Sequence, residues 1–568
     1  MSFAAPTGEV LMLVSVVIPT WNAGPYLDAA IESLVSQTLP ADQFEIIVVD
    51  DGSTDDTPAH IDAMAARHPN LTAIHSAHSG WPGRPRNIGI EHASGEYIHF
   101  MDQDDRMSPD ALRRLVEMAK HNDSDIVLGK VASDFRGVAL AIYRRNLDSC
   151  SIHDAPIIRS LTPHKLFRRA FLDEHMLRFP EGRRRLEDQL FVVKAYFAAA
   201  VISILGDEPC YFYLGRSDGR NAGNQHWEPD SYYANLREVL DVIVVNTEPG
   251  PQRARLLRRF VGNELIGRLS GQDFLDLAAD VRQRAFVNVR DILRNYVDPA
   301  DDAALGAITR LRVGIVRADR PADLVELASR LAGLQLRSQV HAVRWSKERW
   351  RIRFSADIED GGGRPLRCIE RGGRTYLDPV FLRGITTDPL DVSDDLASLR
   401  LRIAARDHSS SVEWHVPARV SMAAVVLPEA TAIASDAGSA EGDVRIRLRG
   451  LARLATETGA AGRPIDVGMW QLNTRISAFG VDLRGRLGDA PRRPGTVDRF
   501  RPRIVGDERL VSLRVVPGEG TTLRIEHIDA WRKALLTMRL AAGRLASGLV
   551  RRGRRLGALF VDAEAPGA

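Results

Sequence analysis

Little in this chain would cross-link it, anchor it or bind a soft metal. Cys150, Cys210 and Cys368 are the three cysteines in 568 residues. They are too scattered for a disulfide framework or metal-ligand spacing, which suits a reducing cytoplasm. No segment reaches the roughly 18 uninterrupted apolar residues of a membrane span. Val10 to Ile18 reads as a buried strand, and Met1 to Val10 lacks the basic start of a secretion signal. Net charge is nearly absent: 76 Lys and Arg against 74 Asp and Glu give +2, so nothing global calls for nucleic acid. Two phosphate-cradling motifs are missing as well. No G-x-G-x-x-G follows Ile18, which argues against a dinucleotide-binding domain, and no G-x-x-x-x-G-K-[ST] is present.

Apolar residues make up 44% of the chain, enough for real cores, and this length predicts two to four domains. Val14 to Ile18, closed by Pro19, is a β-branched run; a helical pattern over Tyr26 to Ser36 and a strand over Phe44 to Val49 complete a βαβ opening. A further helix, a strand at Leu71 to Ile74, a helix at Arg86 to Ala93 and a strand at Tyr97 to Met101 extend it. Strands alternating with helices predict a largely parallel sheet with ligands at the carboxyl ends of its strands.

We place this α/β domain at 1–228. A helical linker domain follows at 229–338, where Leu236, Val239, Leu240 and Ile243 share one face. A β-sandwich region of one or two modules occupies 339–530; Trp350, Ile352 and Phe354 alternate there with Arg351, Arg353 and Ser355. Leu399 to Ala404, Asp443 to Leu448 and Ser477 to Leu483 read as further strands. The tail, 531–568, is basic and amphipathic, with eight arginines and lysines between Trp531 and Phe560 and no acid among them. Such a helix can lie on an anionic membrane, although Gly543, Gly548 and Gly553 weaken it.

The chemistry concentrates at strand ends. Phe100-Met101-Asp102-Gln103-Asp104-Asp105 ends an apolar strand in three carboxylates, which repel one another unless a cation relieves them. Hard oxygen ligands suit Mg²⁺ or Mn²⁺, which complete their shells with substrate phosphates. The competing reading is a turn and helix cap, with Ser108 and Pro109 opening the helix and Asp105 capping it. Trp21, after Pro19, offers a stacking face to a base, and Asp51 follows the second strand, where a carboxylate can accept from a uracil imide. Arg84 and Arg86 can meet phosphate or ribose at a helix start.

Taken together, Pro19-Thr20-Trp21-Asn22, Val49-Asp50-Asp51-Gly52-Ser53, Arg86-Asn87 and Asp102-Gln103-Asp104 resemble family 2 glycosyltransferases of the GT-A fold. Ser79 to Asn87, Leu161 to Phe167 and Leu186 to Tyr196 narrow the resemblance to the wall teichoic acid glycosyltransferases that decorate poly(ribitol phosphate). The resemblance implies an inverting transferase that uses a UDP-sugar, with N-acetylglucosamine favoured. It makes Asp104 the metal ligand, with Asp102 touching ribose and metal. Pro19 and Trp21 would flank the nucleoside, Asp51 would read uracil and Arg86 would hold the nucleotide. Asp188 falls at the base position, with Glu187 touching sugar or acceptor. Trp21 stands where a tyrosine is more usual.

The acceptor expected is an anionic or polysaccharide cell-envelope polymer, and a capsular polysaccharide or lipid-linked oligosaccharide remains the enzymatic alternative. A non-catalytic glycan-binding assembly protein is the rival of another class. The resembling enzymes also imply a homotrimer, while the scattered cysteines and the basic tail point to a cytoplasmic location, peripheral at the inner face of the cell membrane. Lys165, Arg168, Arg169, Arg178, Arg183, Arg184 and Arg185 form either a track for acceptor phosphates or a solvated helix face. Arg216, Ser217 and Asp218 are either a cover over the diphosphate or a surface loop.

Overall fold

A computed structural model describes residues 12–133, 138–139, 141–216, 227–409, 413–416, 418–426, 442–457, 465–478, 481–490, 498–500, 502–505, 509–516 and 518–529. The basic tail, Met1 to Val10, Ser217 and Asp218 lie outside them.

The first strands and helices are β1 (Val14–Thr20), α1 (Tyr26–Val35), β2 (Phe44–Asp50), α2 (Thr57–Arg67), β3 (Leu71–His75), α3 (Gly83–His92) and β4 (Tyr97–Phe100). Next come β5 (Arg106–Met107), α4 (Ala111–Asn122), β6 (Ile126–Ser133), β7 (Leu147–Cys150), β8 (Leu166–Arg168), α5 (Arg169–Glu174), α6 (Glu187–Ala198) and β9 (Ile202–Tyr213). They build one sheet in the order β3-β2-β1-β4-β8-β6-β9-β5, with β7 on β9. Every residue of β1 is buried, as an unbroken β-branched run requires when helices cover both faces of a parallel sheet. The strands β3, β2, β1 and β4 run parallel. β8 then enters antiparallel between β4 and β6. That reversal sets the start of β8 beside the end of β4, where the acidic turn lies.

One alternative closes here. The helix after the acidic turn starts at Ala111, with Asp110 at its N-cap position. Asp105 caps nothing, because it is buried inside the sheet end.

The helices α7 (Pro229–Val245), α8 (Pro251–Phe260), α9 (Gly271–Leu275), α10 (Ala279–Tyr296), α11 (Ala307–Arg317) and α12 (Pro321–Ala332) follow. The predicted face Leu236, Val239, Leu240, Ile243 is fully buried. A single π-helical turn, Val261–Leu265, continues α8; such turns often mark functional positions.

Two antiparallel sheets complete the described chain. One holds β10 (Gln335–Ser346), β11 (Arg349–Glu359), β12 (Arg367–Arg371), β13 (Arg374–Leu377), β16 (Ala418–Val426) and β17 (Gly442–Ala455). The other holds β14 (Arg400–Asp407), β15 (Glu413–Val416), β18 (Gly468–Ala478), β19 (Val481–Arg486), β20 (Asp498–Arg499), β21 (Arg503–Val505), β22 (Arg509–Val516) and β23 (Gly520–His527). The sheets interleave along the chain, since β14 and β15 belong to one and β16 and β17 to the other. Ser477 to Leu483, expected as one strand, instead spans the join of the hairpin β18–β19, with Ala478 opposite Val481. Arg406 of β14 reaches back to donate to the Ser133 carbonyl at the end of β6, 2.5 Å. All three cysteines are buried and unbridged. Among the described residues no helix is long and apolar enough to cross a membrane.

Candidate active site

Thr20 pairs with Asp50 in register, so the turns after β1 and β2 emerge side by side. Trp21 is 44% exposed and stacks on His78, with ring centroids 5.2 Å apart and planes at 27°. Gln103 fixes its backbone from the acidic turn: Trp21 N–H donates to Oε1 at 2.8 Å and Gln103 Nε2 donates to the Trp21 carbonyl at 3.1 Å. Asp51 is buried. Its carboxylate accepts from Ser79 N–H (2.9 Å), the Ser79 hydroxyl (2.7 Å) and Gly80 N–H (3.2 Å). In this structure Asp51 therefore first of all holds the 78–80 loop against β2, leaving any contact with a base to oxygen lone pairs still free.

Arg86 joins two halves of the site. It is buried on α3, donates from Nη2 to Asp102 Oδ1 at 2.9 Å and from Nη1 to Glu187 Oε1 at 3.1 Å, and lies 5.3 Å from the Phe179 ring centroid. Glu187 also accepts from Trp81 Nε1 at 2.7 Å. α3 can begin beside this segment because Gly83 has no side chain: a Cβ there would lie 2.3 Å from the Pro180 carbonyl oxygen. Asn87 adds a two-way clamp, donating to the Phe179 carbonyl and accepting from its N–H, both at 2.9 Å.

The acidic turn itself is built from afar. Tyr211 of β9 accepts from Asp102 N–H at 3.0 Å and donates to Asp105 Oδ2 at 2.8 Å, and its ring stacks on His164 with centroids 4.5 Å apart. Asp105 Oδ1 accepts from Leu214 N–H at 2.9 Å, and His164 Nε2 lies 3.2 Å from Asp102 Oδ2. Burial, then Asp102, then Asp104 push the Asp105 carboxyl well above its usual range. Burial acts on Asp102 in the same direction, but His164 and Arg86 outweigh it and hold that carboxyl far below its usual range. Negative charge is thus in excess around Asp105.

Ligand atoms of Asp102, Asp105 and His164 lie within 4.8 Å of one another. Two hard oxygens and an imidazole fit a divalent cation such as Mn²⁺ or Mg²⁺, whose charge would relieve the burial and carboxylate repulsion that push Asp105 up. Asp104, the ligand expected from the resemblance, is half-buried beside this group and is not one of the three.

Asp188 stands in the first turn of α6. Leu186, just before the helix, has φ 66° and ψ 19°, a left-handed conformation that a leucine adopts only under local constraint. Asp188 is half-buried, and its Oδ1 accepts from Gln189 N–H at 2.7 Å. The Gln189 side chain then meets the helical region, donating to Glu264 at 3.3 Å and accepting from Arg259 at 3.2 Å. Glu264, buried in the π turn, also accepts from the Tyr232 hydroxyl at 2.5 Å and from Arg259 at 3.1 Å.

The basic run 164–185 does not stay together. Lys165 is buried, donates to the Thr162 carbonyl and is pushed down to about 7 by burial, with Asp188 opposing; it cannot join a solvent-facing track. Arg168 pairs with Asp123 and Arg178 with Asp173, while Arg169 donates to the Gly95 carbonyl. Because β8 runs antiparallel, Arg168 sits opposite Tyr97 at the start of β4, the far end of the sheet from Asp102. Arg184 is tied to Glu238 at 3.0 Å, and Arg183 remains exposed by Gly80. Arg216 packs over Tyr26, 4.4 Å from its ring centroid. Sequence reasoning did not identify Trp81, Gln103, Tyr211 or Glu264 as site residues, and it saw His164 only inside a motif; all five act across separations a local pattern does not reveal, Gln103 on Trp21 from 82 residues away.

Residues 15–185 match the family model Glycosyl transferase family 2, and residues 229–328 match the model Glycosyl transferase TarS linker domain. The poly(ribitol-phosphate) beta-glucosyltransferase of Bacillus spizizenii is 34% identical over 252 residues, 44% of this chain and 40% of that protein. The poly(ribitol-phosphate) beta-N-acetylglucosaminyltransferase TarS of Staphylococcus aureus is 31% identical over 239 residues, 42% of this chain and 41% of that protein. These matches span about two fifths of the relatives' length. The crystal structure of S. aureus TarS 1-349 in complex with UDP-GlcNAc superposes with a TM-score of 0.50 at 25% identity, covering 62% of this chain and 98% of that one.

Proposed function

From a chain that carries a glycosyl transferase family 2 domain followed by a TarS linker domain, we propose an inverting transferase. It moves a sugar from a UDP-sugar to a hydroxyl of a polyol-phosphate polymer of the cell envelope. The observation that carries this reading is Arg86, whose single guanidinium ties the acidic turn after β4 to the first turn of α6. The nucleotide half and the half bearing the candidate base are thereby locked together.

Trp21 stacks on the uracil, and Pro19 and Asp51 bound its pocket. Asp102 and Arg86 orient the nucleotide. Asp188 accepts the acceptor hydroxyl's proton as its oxygen bonds to the anomeric carbon; the bond from that carbon to the diphosphate breaks, and UDP leaves with the electron pair. Glu187, held by Trp81 and Arg86, positions the sugar. Asp102, Asp105 and His164 would hold a divalent cation, with Asp104 adjoining, and its chemistry there is to neutralise charge on the phosphates. Water must be kept out, because it would consume the donor.

Of the two curated relatives, one is named for glucose transfer and the other for N-acetylglucosamine, so both donors belong in the test, with N-acetylglucosamine favoured. Purified poly(ribitol phosphate) incubated with each UDP-sugar should gain a hexose or N-acetylhexosamine mass per repeat. Asp188→Asn should bind UDP-sugar as before and give no product. Turnover by that variant comparable to the parent rejects the base assignment, and an unmodified polymer with every donor rejects the acceptor.

A further inference from the structure

The outward face of the C-terminal sheet that holds β10, β11, β16 and β17 carries a charge pattern that folding alone does not explain. In register across three neighbouring strands lie Arg344 on β10, Arg351 on β11 and Arg453 on β17. Two residues along β11, Arg353 shares a row with Leu451 and, on β16, Arg419. Arg449 stands in the next row, opposite Ser355 and Ser421. The inward face is apolar, with Trp350, Ile352, Phe354, Ala452 and Leu454 buried, so strand alternation sends all six guanidiniums to the same outer side. Like charges directly opposite on neighbouring strands destabilise a sheet.

Ordinary surfaces relieve such crowding with interspersed acids. Among the described residues none of the six has a carboxylate partner, and Nε of both Arg351 and Arg453 is buried without any hydrogen-bond acceptor. The contrast is one row further on, where Arg447 is paired with Asp357 through two nitrogens. Arg344, Arg353, Arg419 and Arg449 are exposed, and Arg351 and Arg453 half-buried.

We propose that this face is a docking surface for a phosphodiester polymer, the acceptor chain itself, held away from the reacting hydroxyl; the proposal rests on the acceptor reading above. Arginine in fixed rows suits phosphate, which it engages through two parallel N–H donors. Strand spacing of about 4.8 Å and side-chain rows about 6.8 Å apart make a grid that an extended polyanion can cross. A lipid surface is disfavoured because the positions between the arginines are Ala342, Leu451 and Ser355, with no exposed aromatic to insert at an interface.

The test uses the full chain without donor, measuring affinity for purified poly(ribitol phosphate) between 50 and 200 mM salt, with phosphatidylglycerol vesicles and a single-stranded oligonucleotide as comparators. Binding to the polymer should weaken with salt, and Arg351→Glu/Arg453→Glu should lose at least about 10-fold in affinity and flatten the salt slope. Arg351→Gln/Arg453→Gln should weaken binding without lowering Tm, because it removes opposed charges rather than a native pair. Both variants should transfer sugar normally to a short acceptor. Equal polymer affinity in parent and variants, or parent binding to vesicles or oligonucleotide in preference to the polymer, overturns the proposal. Arginine-dependent binding to a polymer that never receives sugar upholds this surface and rejects the acceptor reading instead.

Discussion

Replacing Glu264 by glutamine separates support of the active site from chemistry within it. The carboxylate accepts from Tyr232, Arg259 and Gln189 and lies 3.6 Å from Arg268 Nε. Glutamine keeps an acceptor for Tyr232 but leaves Arg259, 11% exposed, without its counter-charge. Breaking a buried ion pair costs about 3–5 kcal/mol, and Arg268, more exposed, places the expected loss near about 3 kcal/mol. Gln189 loses its charged acceptor at the same time, in the turn that carries Asp188. Misplacing a reacting group by about 1 Å can cost about 100-fold, so kcat should fall about 10- to 100-fold while KM for UDP-sugar changes by less than about 2-fold. Arg259 and Arg268 overcome burial to hold the Glu264 carboxyl below its ordinary value of 4.5. The stability it contributes is therefore present above that value and lost as pH falls through the folded one. The Tm gap between parent and variant should be widest near neutrality and close in acid. Steady-state kinetics with saturating acceptor and a pH series of melting curves provide the readouts. A lowered Tm with unchanged kcat would show that Glu264 only stabilises the fold and would refute its positioning role.

Two further outcomes follow from the same contacts. Arg86→Lys supplies one point charge where a fork reaches both Asp102 and Glu187, so calorimetry should show UDP-sugar affinity falling at least about 10-fold, with about 2–4 kcal/mol of stability lost in denaturant unfolding; undiminished binding argues against the bridge. Trp21→Ala should weaken UDP binding about 5- to 10-fold, the lower part of the range for a stacked base because His78 already packs on the indole, and equal affinity would remove Trp21 from the nucleotide pocket.

The parallel half of the N-terminal sheet was legible because its signals are local: β-branched runs that must be buried, each followed by a turn rich in acids or glycine. Trp21, Asp51, Arg86 and Asp102 could be singled out there, and the structure brings them to one end of the sheet. The capping alternative for Asp105 could not be closed from sequence because its partners, Tyr211 and Leu214, come from more than 100 residues later. The basic run 164–185 was misleading for a related reason. It crosses a strand, a helix and a loop, so neighbours in sequence are sent to opposite ends of the sheet, and Lys165 goes inside. Alternation in β11 was read correctly: Ser355 keeps the arginine side, opposite Arg449, although it is buried there, its hydroxyl 2.8 Å from His341 Nε2.

The interleaving of the two C-terminal sheets limits how the chain can be divided. β17 pairs with β11, β12 and β16, so an end anywhere between 427 and 441 would strip one sheet of its central strand and leave long unpaired edges, which invite aggregation. A boundary just before Gln335 removes both sheets whole. Gene fusions, truncations and natural recombination should therefore treat 335–529 as indivisible, inherited or discarded as one piece.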